Sequence, residues 1–98
     1  MKDTVHTDSA ESAEILALQV LSFIASDADR LSVFQAATGI TIDDLRHRAA
    51  DRDVMAAALS TLMMDESALL MFAANAAISP GQIGSALRTI ERLRSDDS

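Results

Sequence analysis

Pairs of carboxylates stand close together along the chain, among them Asp27/Asp29, Asp43/Asp44, Asp51/Asp53 and Asp65/Glu66. Carboxylates that converge in a cleft make general acid–base pairs or hold a divalent cation. Each of these pairs, however, falls where an apolar-periodic segment begins, and a carboxylate at a helix start is already favoured by capping and by the helix dipole. They are therefore read as structural. His6 and His47 have no second histidine and no cysteine at ligand spacing, so neither marks a metal site. The serines form no G-x-S-x-G elbow and no Ser-His-Asp order, and Gly81 and Gly84 are too few to cradle a phosphate. No catalytic residue, metal ligand or cofactor is assigned, and a non-enzymatic protein is expected.

Basic residues gather in two places. Arg46, Arg48 and Arg52 crowd one corner of the chain, and Arg88 and Arg92 share one face of its last helical segment. The stretch QAATGITIDDLRHRAAD has the outline of a helix-turn-helix, but Asp43 and Asp44 occupy the helix end that would meet a DNA groove. Fifteen acids against eight bases give a net charge of −7, a field that repels phosphate backbones and anionic lipid. Neither nucleic acid nor a membrane is an expected partner. Met55, Met63, Met64 and Met71 read mainly as filler for a core with only three aromatics. Met63 and Met64 cannot both point inward beside Leu59 and Leu62, so one should lie near the surface. The candidate interaction surface is thus Arg46, Arg48, Arg88, Arg92 and Met64. Asn75, a lone amide in an apolar segment, is expected to bond loop backbone.

These side chains must be positioned by helices, because the chain holds eighteen alanines, one proline and no cysteine. The absence of cysteine rules out disulfides and thiolate chemistry and suits a reducing cytoplasm, the expected compartment. Residues 1–8 are polar and aperiodic and are expected to form a disordered arm; nothing there resembles a secretory signal. A first helix is expected from Ser9 to about Ala25, buried over most of its girth. Ser26 and Asp27 should begin a second, Ser26 with Asp29 approximating a capping box, with Leu31, Phe34 and Ala37 inward, and Gly39 should end it in the left-handed region. Thr41 with Asp44 should cap a short third helix carrying Ile42, Leu45 and Ala49 inward. Asp51 should cap a fourth, with Met55, Ala58, Leu59 and Leu62 inside. Asp65 should cap a fifth, DESALLMFAANAAI, whose apolar residues cover every face; such a helix is expected at the centre of the domain. Ser79, Pro80 and Gln82 open the sixth, with Ile83, Ala86, Leu87, Ile90 and Leu93 inward. Residues 9–94 then make one helical domain and residues 95–98 a frayed end. The uncharged run from Ser67 to Leu87 has the length of a membrane span, but Asn75, Pro80 and the two glycines divide it into two helices.

An offset of 38 residues aligns the chain with itself. Leu21 falls on Leu59, Ser22 on Ser60, Asp27 on Asp65, Leu31 on Leu69, Phe34 on Phe72, Ala36 on Ala74 and Ile40 on Ile78, seven identities in twenty-five pairs. The expectation is a tandem duplication of a three-helix unit, residues 14–51 and 52–89, about a pseudo-twofold axis. Gly39 falls opposite Ala77. The second unit must then place an alanine in the left-handed region or end its helix differently.

The double pattern of an acidic cap, an L/F/A helix and then G-I-T-x-x-D-L or A-I-S-P-x-Q-I resembles a bacterial family of short all-helical proteins, domain of unknown function 3572, from about Glu14 to Arg92. The resemblance implies an all-α fold and carries over no functional residue. The family pattern tends to have glycine at both corners, from which Ala77 departs. With no catalytic constellation and much apolar helix surface, the favoured expectation is a protein–protein interaction or scaffold module that self-associates. The alternative is a small-molecule site or enzyme pocket between the two units, with Asn75 and an arginine as its polar contacts.

Overall fold

Six helices occupy the six expected segments in the computed structural model, which describes the backbone of residues 3–97 and the side chains of residues 10–95. They are α1 (Asp3–Ala25), α2 (Ala28–Thr38), α3 (Ile42–Arg48), α4 (Arg52–Met63), α5 (Glu66–Ala76) and α6 (Gly81–Asp97). No strand occurs among the described residues. The backbone of α1 reaches back to Asp3, ahead of the expected start at Ser9. The expected arm at residues 1–8 has side chains outside the described set, as do residues 96–98 of the expected frayed end.

The helix ends show why the chain breaks where it does. Asp27, in extended backbone, accepts from the N–H groups of Asp29 and Arg30 and so caps α2. The expected cap, Ser26, instead donates its hydroxyl to the Phe23 carbonyl at 2.8 Å, one turn back on α1. Thr41 and Asp44 form the full reciprocal capping box of α3, with bonds of 3.1 and 3.0 Å. Asp65 caps α5 through the Ala68 N–H. At α6 the Gln82 amide oxygen accepts from the Ser79 N–H at 3.0 Å. Asp51 stands at the start of α4 but makes no capping bond, because its carboxylate is taken by Arg48 Nε at 2.8 Å. Gly39 (φ 76°) and Ala77 (φ 58°) both end their helices in the left-handed region, so the alanine takes the strained alternative.

The core lies where α1, α4 and α6 pack on one another. Ala17, Val20 and Ile24 of α1, Val54, Met55, Ala58, Leu59 and Leu62 of α4, and Ile83, Ala86 and Ile90 of α6 are all buried there. A large aliphatic side chain so enclosed contributes about 1.5–3 kcal/mol. Phe34 of α2 and Phe72 of α5 complete the core from the flank. All four inward residues expected of α4 are buried.

The central helix is therefore α4 and not α5, which corrects the reading of Asp65–Ile78 as the enclosed segment. Only Ala68, Phe72 and Ala73 of α5 are buried, while Leu70 is 51% and Met71 50% exposed. Much of α5's apolar character comes from alanines, whose exposure costs little, and eleven residues joined to α4 at 108° can lay one side only against the domain. For the same reason α1 is one-sided rather than buried over most of its girth, with Ile15 55% exposed and Leu18 also in solvent. Ile42 of α3 points outward too, and no residue of α3 is buried. Among the described residues no single helix is long and apolar enough to cross a membrane; α4 and α5 reach that length and composition only as a bent pair.

Candidate functional site

Of the five interaction residues expected from the sequence, Met64 lines the groove described below. Arg48 is drawn into a local network with Asp51 at 2.8 Å and Asp44 at 3.6 Å, which compensates its charge and raises its pKa further above its usual value. The Asp51 hydrogen bond is the largest cause. Arg88 donates to the Ser85 hydroxyl at 3.3 Å on its own helix. Arg46 and Arg92 are exposed. None of the four arginines lines the groove described next, whereas Met64 does. The four methionines read mainly as core filler divide differently: Met55 is buried, but Met63 and Met71 are about half exposed and Met64 is 84% exposed, so both Met63 and Met64 reach the surface. Met63 lies over Gly84.

That groove, of about 700 Å³, lies between α2 and the α4–α5 corner. Its floor is Ile24, Phe34, Leu62 and Ala68, all buried. Val33 and Ala37 form the α2 wall and Met64 stands on the opposite lip, so helical spacing of four on α2 supplies one apolar side. The rim carries Asp27, Asp29, Asp65 and Glu66 against a single arginine, Arg30. The N-termini of α2 and α5 both open here, which is why the acids collect: the capping carboxylates and first-turn acids of two helices meet at one place.

Arg30 is fixed by its surroundings. Its guanidinium carbon sits 4.2 Å from the centroid of Phe23, Nη1 lies 3.6 Å from the Asp27 carboxylate, and Nη2 donates to the Met71 sulfur at 3.7 Å. Phe23 in turn meets Phe72 edge-on, 5.4 Å between centroids at 69°. One cation and two rings thus tie α1, α2 and α5 together behind the groove. Val33 and Arg30 were not among the expected site residues. Their signal in the sequence was weak, because Val33 merely flanks the inward face of α2 and a lone arginine in a helix reads as solvated surface.

The remaining candidates are quiet. Asn75 is exposed, lies outside the groove and makes no hydrogen bond among the described residues, so the expected bond to loop backbone is not formed. His47 donates from Nδ1 to the Asp43 carbonyl oxygen at 3.0 Å within its own helix. Among the described residues no three His, Cys, Asp or Glu side chains converge to hold a metal ion. Asp44 has its carboxyl pKa lowered from the usual 3.8, chiefly by the bond from the Thr41 backbone N–H, partly offset by desolvation and helped by Arg48. These are the physics of capping, and the groove's chemistry is that of an apolar trough with an acidic rim.

Neither a curated protein nor a solved structure matches the chain. A family model described as Protein of unknown function (DUF3572) matches residues 10–92, a span that includes the core triangle, both left-handed corners and the groove, and the chain belongs to that family.

Proposed function

We propose that this protein is a protein–protein interaction or scaffold module that works by binding and not by catalysis. The observation that carries the reading is the apolar surface left in solvent: Met64 at 84%, Val33 at 62% and Ile15 at 55% exposure, with Leu70, Met71 and Ile42 about half exposed. A chain of 98 residues that buries a complete α1–α4–α6 core has no folding need for so many exposed large side chains. The test is size-exclusion chromatography with light scattering, joined to affinity capture from the native cell. A stable oligomer or a retained partner supports the reading; an isolated monomer that captures nothing removes its basis.

A second reading is a small-molecule site, favoured by the volume of the groove, which lies in the range of ligand pockets, and by Arg30 on its rim. Asn75, the other polar contact expected for that reading, is absent from the lining. The apolar walls with carboxylates at the rim fit a protein surface better than they fit a ligand needing convergent donors.

A further inference from the structure

The groove between α2 and α5 combines two features that helix capping alone does not require. Capping explains Asp27 and Asp65, whose oxygens accept from the N–H groups of the following turn. It does not explain an exposed valine on the wall and a methionine on the lip, both in open solvent beside a buried apolar floor. Asp29 and Glu66, moreover, make no side-chain hydrogen bond or ion pair among the described residues, so their charge is available to a partner.

We propose that this groove seats a basic amphipathic helix of a protein partner, its apolar stripe on Val33 and Met64 and its lysines or arginines against Asp29 and Glu66. The proposal rests on the interaction reading above and names the partner's chemistry. An amphipathic helix docks in such grooves through anchors spaced at i, i+3, i+4 and i+7. Charge complementarity selects a basic one, since four carboxylates on the rim face one guanidinium that already spends itself on Asp27 and Phe23. A second copy of the chain is the poorer occupant. Two such faces would set carboxylate rim against carboxylate rim in molecules that each carry −7.

The experiment uses a short fluorescent amphipathic peptide of leucine and lysine, a matched peptide of leucine and glutamate, and the full chain. Anisotropy reads affinity and backbone amide shifts read the site. The leucine–lysine peptide is expected to bind with shifts centred on Val33 and Met64, and the leucine–glutamate peptide to bind at least about tenfold more weakly. Val33→Ser with Met64→Ser should weaken binding about tenfold, and Asp29→Asn with Glu66→Gln should weaken it and flatten its salt dependence. Leu70→Ser, on exposed α5 surface outside the groove, should leave it unchanged. Because Val33 and Met64 are exposed, the double variant should keep its circular dichroism, and binding loss then reports the site. Equal affinity for the two peptides, shifts centred elsewhere, or binding of a small apolar dye but of neither peptide overturns the proposal. A cellular partner captured equally by the chain and by the double variant also overturns it, while leaving the broader interaction reading standing; capture of nothing, with no peptide binding, removes both.

Discussion

Ala77 holds φ 58° and ψ 44°, a conformation that an L side chain adopts only at a cost, while the matching corner at Gly39 has no side chain to strain. The backbone gains from it nonetheless, because the Ile78 N–H reaches back to the Ala73 carbonyl at 3.0 Å and the Ala77 N–H to Ala74 at 3.3 Å, satisfying carbonyls the helix leaves open. Ala77→Gly should therefore stabilise the protein by about 0.5–1 kcal/mol, the relief of strain outweighing the added freedom of the unfolded chain. Gly39→Ala should destabilise it by about 1 kcal/mol, although a methyl there meets no atom within 4 Å. Urea unfolding of the two variants checks both signs. Asp44 gives a prediction in pH. Its folded pKa is lowered by the Thr41 N–H, so the native state binds fewer protons than the unfolded chain in acid. Its contribution to stability is then complete above the ordinary value of 3.8 and is lost as pH falls through the lower folded value. Asp44→Asn should remove that part of the acid dependence, and a carboxyl-carbon titration by NMR should show Asp44 titrating below an unperturbed aspartate.

At the scale of elements, α4 is the helix on which the domain turns, because it packs against α1, α2, α5 and α6. Leu59→Ala on α4 should cost about 2–5 kcal/mol, whereas Leu70→Ala on α5 should stay within about 0.5 kcal/mol, and denaturant unfolding distinguishes them. Equal losses would restore α5 to the centre. The six helices were legible from capping residues and apolar spacing, since those signals are local: Asp65, Thr41 with Asp44, and Gly39 act within one turn of themselves. The placement of α5 was not, because an alanine-rich segment looks equally apolar whether its neighbours cover one side or all of them. The groove was hidden for a related reason, being assembled from α2 and the start of α5, far apart in sequence, while none of the four arginines Arg46, Arg48, Arg88 and Arg92 lines it. The 38-residue offset carries further in structure than in identities. Adding 38 to the bounds of α2 gives the bounds of α5, and the caps Asp27 and Asp65 and the left-handed corners Gly39 and Ala77 coincide. The third helices differ, seven residues with none buried against seventeen with Ile83, Ala86 and Ile90 in the core. We propose that residues 14–51 and 52–89 are copies of one three-helix unit; failure of the two to overlay helix for helix would remove the idea.

As a whole molecule, the protein is a slab of 42 × 32 × 19 Å with an acidic exterior and apolar side chains set into it. Its net charge of −7 favours encounter with basic partners, and its exposed methionines and valine supply surface that gains by being covered. We propose that another protein covers this surface at the groove between α2 and α5. The most direct measurement is quantitative affinity capture from the native cell, comparing the chain with its Val33→Ser, Met64→Ser variant. The chain should retain a partner with a basic helical segment that salt releases and that the variant loses; a capture profile from the chain that matches both the variant and the bare support would overturn the groove as a docking site.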